Sequence, residues 1–518
     1  DSRYEAGLPV NAGTYDVIVS RPTDNTYAKF EAEYHAVLII NKAVRAGSVA
    51  NVGFVKSGLT YMELELLGDD GGIYDLNEDA IIIFNVTDES GNVYSSKGNE
   101  NTVYNIEHST SKFATSVTVV EPNYEDWTST PVESNFTLEA APTTSWLDYA
   151  DTSWYNKNDT EFTLTTAAQL AGLAKLVNSG NNMAEKTFKL GNDIDVREHI
   201  WTPIGKDFNY AFEGAFDGRG HTVSGIYHND ANVGYVGLFG YVLTYSKNNP
   251  RVYVMNVVVD DSFIYGYAYV GGIVGMAWDA TIANCTNYAY VKANQYGESN
   301  NYLSAAGGIA GELFYGAVAN CVNYGTVYSQ GRLTGGIVGD VSDTAKVLNN
   351  ANFGTVTGSS RVGGIVGATD TSDGSTGLVI YNNYNAGTVR PRAGSNDYIG
   401  AIVGRNTNDN GIVQYNYYLQ DCAAGGDGKS RYAMGKEGGS VIDGTTSGGR
   451  TYYASSFVNP ESGMNDTAGT YAGLTLIGAL NAWVDAEGGT YDGVPAAWEV
   501  GPDGYPLPVG TLTSALRK

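Results

Sequence analysis

The chain has 518 residues, 42% of them apolar and 17% charged, which is enough for several packed domains and too apolar for a disordered tail. With 30 Lys and Arg against 56 Asp and Glu, its formal charge of -26 argues against nucleic acid or an anionic membrane as a partner. Sixty-six Gly and 39 Tyr against 6 Met describe tight corners and polar aromatic faces rather than long helices, and three cysteines (Cys285, Cys321, Cys422) are too few for a disulfide framework.

No apolar run approaches the roughly 18 residues of a membrane span, so no transmembrane segment is expected. The chain opens at Asp1 with no Met and no charged-then-apolar leader, so any secretion signal is expected to be either cleaved or outside this sequence. From the front, alternating apolar stretches at Tyr15 to Val19, Tyr34 to Ile40, Val52 to Leu67, Ala80 to Val86, Thr102 to Ile106 and Ser116 to Val120 read as strands of two β-sandwich modules, over 1–43 and 44–140. Residues 141–160, with Ser, Thr, Pro, Trp and Tyr, read as a linker. Thr166 to Gln169 is a capping box, and Leu170, Leu173, Ala174 and Val177 follow at helical spacing until Asn178-Ser179-Gly180, which predicts one amphipathic capping helix.

The middle of the chain is an array. Val236-Gly-Leu-Phe-Gly240 recurs as Gly-Gly-Ile-Val-Gly at 271–275, 335–339 and 363–367, with close variants at 307–311 and 400–404. A second block, Asn284 to Val291, recurs from Asn320, Asn349 and Asn382, the last three ending in Gly-Thr-Val. The final glycines at 240, 275, 311, 339, 367 and 404 lie 35, 36, 28, 28 and 37 residues apart, so the basic unit is 28 residues with insertions at corners. Such a unit fits one turn of a β-solenoid, read as three short strands per turn, pairing with the turn above. Alignment then stacks Ile273, Ile309, Ile337 and Ile365 in one column and Val291, Val327, Val356 and Val389 in another. The solenoid is placed at 161–425 and a C-terminal capping region, with a second helical pattern at Leu474 to Val484, at 426–518.

These blocks resemble the GLUG motif of large bacterial surface proteins. Trp201-Thr-Pro-Ile-Gly205, Phe212 to Gly225 and Gly234 to Gly240 are similar to that family's opening segment, in order, and the resemblance covers about Glu161 to Leu419. Ala12 to Val17 with Leu38 to Ala43 is similar to the immunoglobulin-like MBG modules of bacterial adhesins, with a short front end. The resemblance implies a right-handed parallel β-helix displayed outside a bacterial cell or on its surface, an adhesive contact with glycans or host surface proteins, and no catalytic residues. Metallopeptidases that share the repeat need His-Glu-x-x-His, and the five histidines here include no such pair.

Cys285 and Cys321 sit at one position of consecutive units, within reach of a disulfide, or packed as reduced thiols in a column continued by Asn350 and Asn383. Asn284, Asn320, Asn349 and Asn382, and Asn287, Asn323, Asn352 and Asn385, read as structural amide ladders. Tyr288, Tyr324 and Phe353 share a column that serves either as a platform for sugar rings or as packing beneath an insertion. Two acidic groups, Asp193, Asp195 and Asp217, and Asp260-Asp261, hold an incomplete set for sugar-bond hydrolysis; polygalacturonase-type β-helices add Gly-His-Gly, which is missing. Arg332, Arg361, Arg390 and Arg392 form a basic edge, and Ca²⁺ at a turn such as Gly68-Asp-Asp-Gly71 is open but unspecific. No cofactor or metal is expected. The sequence therefore predicts an adhesin-like binding protein, with a polysaccharide-degrading enzyme and a passive spacer as alternatives.

Overall fold

The computed structural model describes residues 13–19, 34–40, 51–57, 60–67, 80–97, 100–121, 124–134, 137–245, 252–294, 304–370, 377–392, 398–406, 412–423, 446–447, 450–451, 454–461, 471, 473–491 and 495–512. The Gly68 to Gly71 turn and most of 424–453 lie outside the described residues. Two compact units divide between Ala141 and Pro142.

The first unit is antiparallel β. Gly13–Val19 pairs with Tyr34–Ile40. The stretch read as one strand from Val52 to Leu67 is a hairpin of Asn51–Ser57 and Met62–Leu67, which a pattern of apolar residues alone does not reveal. Behind it, Phe113–Val120 pairs with Ile81–Asp88 and with Val132–Ser134. Met62, Leu64 and Leu66 of the first sheet close on Phe84, Val86, Val117 and Val119 of the second, the alternation of a sandwich core.

The second unit is a right-handed parallel β-helix. Among the described residues six windings carry five short strands each, not three; one of them runs Thr281–Ala283, Thr286–Asn287, Tyr290–Ala293, Ala305–Gly307 and Ala310–Phe314, here called faces 1 to 5. The extra corners come from residues that bend the chain without a loop: Asn284 and its equivalents at positive φ between faces 1 and 2, and the glycine pair between faces 4 and 5. Each winding pairs in register with the next. Face 1 stacks Phe162, Phe188, Phe216, Val254, Ile282, Val318, Val347, Ile380 and Val413 in one unbroken apolar column. Ile273 donates its N–H to Ile309 O at 3.1 Å, Ile309 to Ile337, Ile337 to Ile365 and Ile365 to Ile402 at 3.0 Å each, and all five side chains are buried. Val291, Val327, Val356 and Val389 stand opposite one another on face 3.

The glycine and asparagine blocks explain each other. A Cβ on Gly308 would lie 2.2 Å from Gly336 O and 2.3 Å from Asn323 Cγ, and Gly272, Gly336 and Gly364 are as tightly set against Asn287, Asn352 and Asn385. Only glycine leaves room across the interior for an amide column. Where that column ends, at Asn385, the equivalent of the second glycine becomes Ala401.

Residues 142–160, expected to be mostly a linker, are built into the N-terminal end of the coil. Trp146 donates Nε1–H to Val196 O at 2.6 Å, and Trp154 packs on Phe162 and Phe188. Helix α1, Ala167–Asn178, buries Leu170, Leu173, Ala174 and Val177 over the coil interior. Thr166 Oγ1 accepts from Gln169 N as a cap, whereas the Gln169 side chain returns to Thr165 N rather than to Thr166, a capping box offset by one residue. Among the described residues no helix is long and apolar enough to cross a membrane.

Among its described residues the C-terminal region both extends the coil and covers one of its sides. Ala454–Phe457 continues face 2 beyond Asn416–Leu419. Helix α2, Leu476–Glu487, and the hairpin Trp498–Val500 with Pro506–Pro508 then run as a strap outside faces 1 and 2, burying Leu476, Leu480, Trp498 and Leu507 against Tyr384 and Tyr417. Thr286 donates its hydroxyl to Leu512 O.

Candidate functional site

Asparagine builds three columns. On the inside, Asn287 Nδ2 donates to Asn323 Oδ1 at 2.9 Å, Asn323 to Asn352 at 2.8 Å and Asn352 to Asn385 at 2.7 Å, while each Oδ1 but that of Asn352 is also shown accepting the backbone N–H two residues on. At the corner between faces 1 and 2, Asn349 donates to Asn320 and Asn382 to Asn349, and the column begins with two members that the repeat did not reveal, Asp217 and Asn256, which Asn284 joins at 3.1 Å. The third column runs from Asn416 through Asn383 and Asn350 to Cys321, whose N–H donates to Asn350 Oδ1. Cys285 and Cys321 are buried free thiols, with Cys285 N at 3.5 Å from Cys321 Sγ, so the disulfide alternative is not the state of this structure. Burial pushes the Cys321 thiol well up, and a hydrogen bond with Cys285 adds to this, so Cys321 is not poised as a thiolate.

Tyr288, Tyr324 and Phe353 do stack, with centroids 4.8 and 4.9 Å apart and planes within 9°. Their outer side, however, belongs to the strap: Phe353 meets Tyr505 edge-on, and Tyr324 and Phe353 pack on the strap's core. Burial is the main reason the Tyr324 phenol is held far above its ordinary value. The adjoining corner asparagines bind the same strap, Asn349 through Trp498 Nε1 and Ala496 O, Asn320 through Ala496 N, and Asn382 through Leu480 O.

The acidic groups are engaged in turns. Asp193 Oδ1 lies 3.2 Å from His221 Nδ1 and accepts from Thr222 N, Asp195 pairs with Arg197, Asp217 accepts from Arg219 N and Asn256 Nδ2, and Asp260 accepts from Asp261 N. Among the described residues no group of three or more His, Cys, Asp or Glu is placed to hold a metal ion. The arginine edge follows the winding: Arg361 N donates to Arg332 O at 2.7 Å, and Arg390 Nε lies 3.4 Å from Thr357 Oγ1.

A second aromatic group, which sequence reasoning missed, lies outside faces 4 and 5. Ile204 and Phe212 bridge to the first face-5 strand at Phe239 and Val242, and Gly205, at φ +83° with Tyr241 O where a Cβ would be, lets residues 206–211 bulge outward. That bulge carries Phe208, 48% exposed, edge-on to Tyr241 and within 6.5 Å of Trp278. Trp278 stacks on Phe314 at 4.3 Å, and Tyr315, 37% exposed, stands edge-on to Phe314. Tyr235 stacks on Tyr269 at 5.5 Å beside them. In the register of face 5, Glu312 and Asp340 follow Tyr241 and Met276 on successive windings. Burial pushes the Tyr269 phenol up most, the charges of Glu312 and Asp340 next, and a hydrogen bond to Glu312 holds the proton as well. No repeat signals this site, because beyond the Tyr235 and Tyr269 pair its columns change residue from winding to winding. The arrangement offers rings at two angles, protonated phenols and carboxylates, the donor and acceptor set that hydroxyl-rich ligands use.

No protein-family model, no curated protein and no solved structure matches this chain.

Proposed function

We propose that this chain is an adhesin-like binding protein, secreted or displayed on a bacterial surface, whose GLUG-type β-helix contacts carbohydrate through the aromatic group on faces 4 and 5, behind an MBG-like front module. The observation that carries the reading is the exposed pair Phe208 and Tyr315 flanking the stacked Trp278 and Phe314 on a rigid wall. Large rings left at a surface mark interaction sites more often than scattered apolar residues do. The coil supports this by fixing ring positions through main-chain bonds, so little ordering entropy is lost on binding.

A glycan array with the purified chain tests it. Trp278→Ala should lose binding while its melting temperature stays within a few degrees of wild type; Tyr324→Ala, under the strap, should lower the melting temperature and keep binding. The opposite pattern would return the function to the Tyr288 column. Polysaccharide degradation is the second reading, favoured by Glu312 and Asp340 facing each other across adjacent windings. Release of reducing ends that disappears in both Glu312→Gln and Asp340→Asn would establish it in place of simple binding.

A further inference from the structure

We infer that this chain carries a second carbohydrate-contact site, a tyrosine cluster where helix α2 docks on the corner between faces 1 and 2, with Tyr415 as its central residue. The inference rests on the carbohydrate reading above and adds a site that acts beside the group on faces 4 and 5. It starts from two irregularities at one position. The corner column runs Asn256, Asn284, Asn320, Asn349 and Asn382, each at φ between 53° and 62°. One winding past Asn382 the same position is Tyr415, at φ 56°. Asparagine tolerates that left-handed backbone and a residue with a bulky ring does not, so the corner is strained there. Asn256, Asn320 and Asn349 each accept, through Oδ1, from the Nδ2 of the asparagine one winding on. Asn382 Oδ1 is buried with no partner, because tyrosine has no amide to donate. An asparagine at 415 would remove both penalties; what tyrosine brings in exchange is its ring.

That ring completes a cluster. Its centroid lies 5.7 Å from that of Tyr471 and 5.8 Å from that of Tyr381; Tyr381 in turn lies 6.1 Å from Trp483 and 6.3 Å from Tyr491, which stacks on Trp483 at 5.9 Å. Tyr381 and Tyr415 belong to the coil and the other three to the strap region, so the cluster exists only with α2 seated. The four tyrosines are half-buried and Trp483 wholly buried among them, its indole N–H without a partner. The hydroxyls of Tyr381, Tyr415 and Tyr471 make no hydrogen bond to the described residues, and none of the three is buried. Burial first, and then the neighbouring phenols and the charge of Glu487, hold the protons of Tyr381 and Tyr471, which therefore stand as donors. Open phenols on a fixed aromatic wall offer hydroxyls and ring surface together, which a sugar meets with its own hydroxyls and C–H faces. Four half-buried rings expose too little by themselves for the roughly 800 Å² per side of a stable protein interface. The first aromatic group uses the same device: in register Tyr315, at φ 66°, takes the corner that Asp279 and Asp343 hold on the windings before and after.

Thermal melts and affinity electrophoresis of the full chain, in gels containing galactomannan, xyloglucan, soluble starch or polygalacturonate, test the site. Tyr415→Asn extends the asparagine column and relieves the corner, so it should raise the melting temperature by a few degrees. The same variant should weaken retardation about fivefold in any gel that slows wild type, because a polymer then loses one of two points of attachment. Tyr415→Phe keeps ring and backbone and removes only the hydroxyl; it should leave the melting temperature alone and weaken retardation about twofold. Unchanged retardation in Tyr415→Asn would overturn the inference, and a lower melting temperature beside it would mark the ring as packing. If Tyr415→Asn lowers both, Tyr415→Phe decides: weaker retardation at an unchanged melting temperature supports the site, and unchanged retardation overturns it. In each of these failures Trp278→Ala would still lose binding, and the carbohydrate reading would stand. No retardation of wild type in any gel, together with a blank glycan array, would remove that reading and the second site with it. A wild-type dimer that Tyr415→Asn converts to monomer would assign the cluster to a second copy of the chain and overturn the inference.

Discussion

Asn320 performs two tasks at one corner. Its backbone sits at φ 55°, a left-handed conformation that asparagine tolerates better than other side chains that carry a Cβ, and its Oδ1 accepts from both Asn349 Nδ2 and Ala496 N. The two tasks separate by substitution. Asn320→Gly keeps the turn and orphans two donors, at a cost of about 1–3 kcal/mol; Asn320→Ala adds backbone strain and should be worse by roughly a further 1–2 kcal/mol. Equal losses in urea denaturation would show that the amide alone matters. This column was legible in the sequence from Asn284 onward because the residue recurs in a recognisable block, whereas Asp217 and Asn256 were not, since the residues around them do not repeat. The same reasoning separates the two aromatic groups. Tyr288, Tyr324 and Phe353 announce themselves by phase. Phe208, Trp278 and Tyr315 occupy three unrelated positions, and only the folded coil brings them together.

Each strand of the coil is two to five residues long and would be worthless alone; what holds an element is its fit between the windings on either side. The fit is tightest at the second glycine of each block. Gly308→Ala should destabilise by about 1–3 kcal/mol, because both atoms in the way, Gly336 O and Asn323 Cγ, belong to rigid neighbours. Gly234→Ala, with nothing within 4 Å, should stay within about 0.5 kcal/mol of wild type. Thermal melts of the two variants check the contrast. Helix α1 was readable from its apolar spacing and cap, and α2 from its spacing alone. Where α2 docks was not, since Asn382 and Leu480, or Asn349 and Trp498, are 98 and 149 residues apart and nothing local links them. The three-strand reading of each turn failed for a physical reason as well: a bend made by one asparagine or one glycine pair leaves no loop to see, so two strands read as one.

At the scale of the whole coil, stability is close to a sum of windings and their interfaces. Removing residues 253–280, one full 28-residue unit, joins Val252 to Thr281, whose partner in register was Tyr253, and brings the Asp217 level directly under Asn284. That chain should still melt cooperatively, at a modestly lower temperature. Removing 14 residues, 253–266, breaks the phase of every column and should abolish the folded transition; circular dichroism distinguishes the two.

The main-chain bonds between windings run lengthwise, each level holding the next by the few that its five short strands can make. Tension applied along that direction pulls those bonds straight apart and, because the levels are in series, every level carries the full load and the weakest yields first. A sideways tug is instead shared by all levels at once and must slide strands past one another. Such a body parts at its weakest level under one kind of force and resists the other, so the way it is held in flow would decide how long it lasts.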